Sequence, residues 1–355
     1  MAIDPGIELL PDAPIAGPPD DLLARGPLAE RAVELACAQP SGQPRVVAVV
    51  GGAGVGKTSV LRLMAALLDE RADAAAVAVD AADHGSAESL LRALQAHLTE
   101  FFDAAGVVET GDAARDALTR YGEIVSTVVR LVGVKLDVAG AVKRSATDQA
   151  TELAENAQQV GKRLVIAIDH LDRLPDRELA TTVTALRVYA QLPFVTLVLA
   201  FDRRALTTRT ALDAAALARL VNVELAVPPC DRTLLARLVA GGLARSAARL
   251  GRDIDAALPL FDPDGGVALA LIDNPRDAKR VVNALTAALP LLPATELRRA
   301  MLELVVRLLA PALDGPRLGS TDATIRAARA AELRAAVATL PIAAALGPAI
   351  DELLA

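Results

Sequence analysis

Arg45-Val46-Val47-Ala48-Val49-Val50-Gly51-Gly52-Ala53-Gly54-Val55-Gly56-Lys57-Thr58-Ser59 is the stretch that decides how the rest of the chain is read. Its first six residues form a short, nearly continuous apolar run rich in β-branched valine, the pattern of a strand buried on both faces in a parallel sheet. The next eight match G-x-x-x-x-G-K-[ST], whose glycines let successive backbone N–H groups turn inward around phosphates. Over residues 59–68 the apolar side chains recur at helical spacing. A helix therefore begins near Gly56 and points its positive end at the anion. Buried strand, glycine loop and amphipathic helix are the context this motif needs. In that reading Gly51, Gly52, Ala53, Gly54, Val55 and Gly56 line the phosphate loop, and Lys57 reaches the β and γ phosphates of a nucleotide. Thr58 ligates Mg²⁺ through its hydroxyl, and Ser59 is a secondary candidate.

Four more short apolar runs follow, at residues 76–79, 164–168, 195–201 and 221–227, separated by helical stretches. The alternation predicts an α/β fold, a doubly wound parallel sheet of about five strands. Residues 97–160 are helical in pattern throughout, so they read as a helical insertion between the second and third strands. Residues 1–44 read as an approach segment, Pro-rich and then helical at 28–38, ending on the breaker Gln39-Pro40-Ser41-Gly42-Gln43-Pro44. The nucleotide-binding core spans 45–227. After Pro228-Pro229 only helices are expected, divided by breaks near 262–266, 292–293 and 314–316 into a lid at 228–290 and a C-terminal helical region at 291–355. Asp231 is placed to cap the first of these helices.

Arg163-Leu164-Val165-Ile166-Ala167-Ile168-Asp169 is an apolar strand with a terminal carboxylate. Such an aspartate can be a mere turn former, but in a chain that carries a P-loop it is the expected second metal-side group, holding Mg²⁺ through water.

Ile168-Asp169-His170-Leu171-Asp172-Arg173-Leu174 resembles the Walker B signature of the KAP NTPases, roughly I-D-D-L-D-R-L. Val198-Leu199-Ala200-Phe201-Asp202 resembles that family's next strand, and Asn274-Pro275-Arg276-Asp277-Ala278-Lys279-Arg280-Val281-Val282-Asn283 resembles its N-P-R-x-x-K-R-x-x-N signature. The likeness covers about residues 10–290. It implies a STAND/AAA+-like P-loop ATPase that uses ATP and Mg²⁺, and it suggests a link to phage defence or signalling. It also implies a molecular switch whose lid closure is coupled to a protein partner or to self-association. A cytoplasmic location is expected separately, because residues 1–19 lack the basic start and apolar run of a secretory signal.

One position departs from the family: His170 stands where a second acidic residue usually follows the Walker B Asp169. The attacking water would then be oriented by His170 or by Asp172, with Lys57 and Asp169 completing the catalytic set and hydrolysis weakened. Arg276 is implied as a lid sensor of the γ-phosphate. The residue-level alternative is that Asn274, Pro275 and Asp277 simply start a helix, which leaves Arg276 unexplained. Arg203 and Arg204 are weaker phosphate candidates than solvated surface residues. Two other functions stay open beside the switch: a nucleotide-bound assembly scaffold that does not hydrolyse, and a P-loop small-molecule kinase. The sequence offers no acceptor-binding constellation for the kinase.

Composition narrows the field further. A 355-residue chain can bury a large core, and its 53% hydrophobic residues with 2% aromatics and no Trp make that core from Ala, Leu and Val in close-packed helices. A net charge of −7 gives no strong nucleic-acid signal. Cys37 and Cys230 lack metal-ligand spacing. Residues 124–142 come nearest to a membrane segment, but Arg130, Lys135 and Asp137 interrupt them, each at about 2.5–3.5 kcal/mol at a bilayer centre. Peripheral membrane contact through the insertion is the disfavoured alternative to a buried or amphipathic helix.

Overall fold

In the computed structural model the valine run is strand β1 (Arg45–Val50), and it is buried because it lies inside a sheet. The structure describes residues 9–38, 45–104, 119–120, 123, 162–192, 194–208, 214–310 and 343–354. Nearly all of the expected insertion, the membrane-like stretch 124–142 within it, and the break at 314–316 lie outside them. Among the described residues no helix is long and apolar enough to cross a membrane.

The five strands are β1, β2 (Ala74–Asp80), β3 (Arg163–Asp169), β4 (Val195–Phe201) and β5 (Val223–Ala226). Their order across the sheet is β2-β3-β4-β1-β5, and every pairing is parallel. The expected doubly wound sheet is therefore present. Its second strand starts two residues earlier than the apolar run suggests, because the preceding alanines pair with β3. The fifth is shorter than its run, since it borders β1 alone.

Period-two alternation divides each central strand between two apolar layers. Val46 and Ala48 of β1, Leu164, Ile166 and Ile168 of β3, and Leu197 and Leu199 of β4 face one layer, which contains residues of α3 (Ala87–Ala104) and α4 (Asp176–Tyr189). Val47 and Val49, Val165 and Ala167, and Val198 and Ala200 face the other, with α1 (Gly26–Cys37) and α2 (Lys57–Asp69). Strands covered on both sides must be apolar on both sides, which explains the unbroken runs in the sequence. Three phenylalanines, Phe101, Phe102 and Phe194, pack ring to ring within the first layer. Two short helices, α5 (Arg203–Thr207) and α6 (Ala214–Leu220), connect β4 to β5.

Contacts divide the chain into two compact units, Pro14–Pro228 and Met1–Ala13 with Pro229–Ala355. The stretch read as one approach segment is thus shared between them. The second unit is helical in its described residues: α7 (Arg232–Leu250), α8 (Pro275–Ala288), α9 (Leu297–Leu309) and α10 (Ala343–Leu354), with short 3₁₀ turns. Asp231 caps α7 by accepting from the Thr233 and Leu234 N–H groups. One apolar cluster, from Leu235 on α7 to Leu353 on α10, holds this unit together.

Candidate functional site

All five strands run the same way, so their carboxyl ends share one edge, where open α/β sheets place ligands. The phosphate loop follows β1, Asp80 ends β2, Asp169 ends β3 and Asp202 follows β4. Because β4 lies between β1 and β3, its last residue is a neighbour of the loop: the Gly51 N–H donates to the Phe201 carbonyl at 3.3 Å.

The loop turns through two left-handed glycines, Gly54 (φ 77°) and Gly56 (φ 104°), and Gly56 is the N-cap of α2. A side chain at either would be strained. Gly51 is tightly packed: a Cβ there would lie 2.8 Å from Val55 Cγ2 and 3.3 Å from Val227 Cβ, so a neighbour would have to shift. Gly52 and Ala53 are exposed at the rim, while Ser59 is half-buried one residue beyond Thr58. Lys57 is only 8% exposed, and its Nζ donates to the Gly51 and Gly52 carbonyls at 2.8 Å each. The ammonium is thereby held over the loop whose backbone N–H groups would cradle phosphate.

The two halves of the motif meet through a hydrogen bond across 111 residues of sequence, in which Thr58 Oγ1 donates to Asp169 Oδ2 at 2.6 Å. Asp169 is 7% exposed, and its other oxygen accepts from the His170 N–H at 2.8 Å. A hydroxyl and a carboxylate side by side form an all-oxygen set suited to Mg²⁺, which is commonly completed by substrate phosphates and water. No group of three or more His, Cys, Asp or Glu that could hold a metal occurs among the described residues.

His170 has left-handed backbone (φ 53°, ψ 34°). Its Nδ1 lies 2.8 Å from Asp80 Oδ2. Asp80 is the register partner of Asp169 on the adjacent strand, and its other oxygen accepts from the Ala82 N–H, which fixes the carboxylate. Sequence reasoning passed over Asp80; the only signal was an aspartate closing an apolar run. Asp172 sits on the 3₁₀ turn Leu171–Arg173, and its Oδ1 is buried with no hydrogen-bond partner in the structure. A second overlooked residue is Arg25, just 3% exposed, whose Nη2 donates to the Val55 carbonyl at 3.2 Å. Asp21 ties down the backbone at that point by accepting from the Arg25 and Gly26 N–H groups. The phosphate loop is thus braced from outside by a buried guanidinium.

Asp202 is the cap of α5, accepting from the Arg204 N–H at 2.9 Å, and Arg203 pairs with Glu224 of β5. Arg276 lies in the helical unit, where its Nε is 3.3 Å from Asp12 Oδ1. Lys57, Thr58, Asp169 and His170 are therefore brought together, with Asp172 one turn on, while Arg276 has a carboxylate partner within its own unit.

The KAP family P-loop domain model matches residues 25–240, more than half of the chain. No curated protein matches it. Among solved structures, similarity extends to the Aeropyrum pernix ORC2 protein (ADPNP-ADP complexes), at 14% identity over 86% of this chain and 73% of that one, with a TM-score of 0.41. It extends also to the Aeropyrum pernix ORC1 protein in complex with DNA, at 19% identity over 94% and 86% of the two chains and a TM-score of 0.36. C. elegans PCH-2 is similar at 14% identity over 82% and 67%, with a TM-score of 0.32. Superpositions this loose carry no weight for this chain's function. The matched span begins at the buried Arg25, contains the phosphate loop and the strand that ends in Asp169, and on that match the chain belongs to the KAP family of P-loop NTPases.

Proposed function

We propose that the chain is a Mg²⁺-dependent ATPase that works as a molecular switch. The observation that carries this reading is the Thr58–Asp169 hydrogen bond, which joins the phosphate loop to the end of β3 with two oxygens suited to one hard cation. Bound there, Mg²⁺ would neutralise charge on the β and γ phosphates. Lys57, already held over the loop, adds a second positive charge on the same side.

Orientation of the attacking water falls to His170. The Asp80 carboxylate can only accept, so in a neutral ring the proton sits on Nδ1 and Nε2 is left to take a hydrogen bond from water. Asp172, with a buried oxygen that lacks a partner, is the other candidate base. Arg276 is the residue that would answer to the γ-phosphate on lid closure, coupling nucleotide state to a protein partner or to self-association, in defence or signalling. A second reading, a nucleotide-bound scaffold with little turnover, draws on the same His170: an imidazole tied to Asp80 occupies the position of the usual carboxylate.

The test is equilibrium binding of ATP and GTP together with turnover in Mg²⁺, using Lys57→Ala as control. ATP turnover that vanishes in Lys57→Ala supports the switch. Tight ATP binding without turnover supports the scaffold, and a folded protein that binds neither nucleotide overturns both.

A further inference from the structure

The face of α8 that carries the rest of the N-P-R signature has an occupant. Pro275, Ala278, Val281, Val282 and Leu285 are buried in the helical unit, and Asn274 caps the helix through the Asp277 N–H. Asp277 is also ion-paired with Arg280. That leaves Arg276, Lys279 and Asn283, spaced i, i+3 and i+7 and hence on one side of the helix. All three hold residues 10–13 of the N-terminal segment.

The Asn283 carboxamide meets the backbone of Leu10 twice: its Oδ1 accepts from the Leu10 N–H at 2.7 Å, and its Nδ2 donates to the Leu10 carbonyl at 2.8 Å. This is the pairing a neighbouring β-strand would offer, made by one side chain. Lys279 Nζ donates to the carbonyls of Pro11 and Ala13 at 2.9 and 3.2 Å, and Arg276 takes the Asp12 carboxylate. Leu10 packs on the apolar cluster of the unit. Pro11 and Pro14 have no N–H to donate, which interrupts a regular helix or ladder, and the carbonyls of Leu10, Pro11 and Ala13 take their donors from α8 instead.

We propose that Arg276, Lys279 and Asn283 form a main-chain clamp for residues 10–13, and that Asp12 acts as a latch on Arg276. The latch rests on the lid-sensor reading of Arg276, whereas the clamp does not. Arg276 and Asp12 are both partly exposed, so water screens the pair, and a phosphate group, which can take a guanidinium bidentately, would compete with the carboxylate for it. Holding Asp12 and sensing phosphate then compete for one guanidinium.

Exchange of the Leu10 amide, with those of Leu9, Asp12 and Ala13 beside it, followed in nucleotide-free protein, tests the clamp. Protection in the wild type that falls about tenfold or more in Asn283→Leu, and also falls in the exposed variant Lys279→Met, is the expected result. Exchange in the wild type at the rate of a free peptide, or protection unchanged in both variants, overturns the clamp. Equilibrium ATP binding tests the latch: Asp12→Asn binds ATP severalfold more tightly, and the gain disappears when Arg276→Ala is added. Unchanged affinity in Asp12→Asn overturns the latch. A wild type that binds no ATP defeats the nucleotide reading and the latch with it, and leaves the exchange result to decide the clamp.

Discussion

Asp80 Oδ2 lies 2.8 Å from His170 Nδ1, so on the proposed reading it is the residue that aims the imidazole. Asp80→Ala should lower kcat for ATP about tenfold or more with KM nearly unchanged, because a misdirected imidazole affects the water and not the nucleotide. Steady-state kinetics check this, and an equal loss in KM would count against it. Gly56→Ala should fail differently. At φ 104° a Cβ costs about 1–2 kcal/mol, so thermal stability and ATP affinity should fall together. The loop, Lys57, Thr58 and Asp169 were legible in the sequence because each lies in a contiguous pattern whose chemistry dictates its spacing. Asp80 and Arg25 were not. One acts through strand register against Asp169, and the other reaches the Val55 carbonyl thirty residues on. Neither relation leaves a local trace.

At the scale of elements, strands were read from runs of valine, isoleucine and leucine, and that signal was sound where strands are covered on both faces. It faltered at β2, whose first residues are alanines that take strand form only because β3 lies alongside. Helix starts were better defined, since an aspartate or asparagine ahead of a helix has a local reason to be there. Asp231 illustrates this. Hydrogen bonds from the Leu234 and Thr233 N–H groups hold its carboxyl below the ordinary value of 3.8. A depressed carboxyl contributes stability that is fully present above the ordinary value and is lost as pH falls through the folded value. Asp231→Asn keeps a capping oxygen that does not titrate, so below about pH 4 the variant should lose less stability than the wild type, as read by acid unfolding. Packing gives a further expectation in the same unit. A Cβ at Gly242 of α7 would lie 2.7 Å from Val282 Cγ1 of α8, so Gly242→Ala should destabilise by about 1–3 kcal/mol in denaturant titrations.

For the whole molecule, ligand linkage offers a direct check on the nucleotide reading. At a hundredfold excess over its Kd, ATP should add about 2.7 kcal/mol to the unfolding free energy of the wild type and nothing to Lys57→Ala. Sheet order carries a different consequence. β2 and β3 are hydrogen-bonded neighbours, and residues 81–162 leave the sheet at one and rejoin it at the next. The first part of that interval is committed, because Leu90, Leu94, Leu98, Phe101 and Phe102 of α3 belong to the core. Between Ala104 and Arg163 each doubling of chain length costs only about 0.6 kcal/mol in closure entropy. Chimaeras that replace residues 105–161 with unrelated segments should keep the nucleotide site while acquiring whatever attachment the new segment confers.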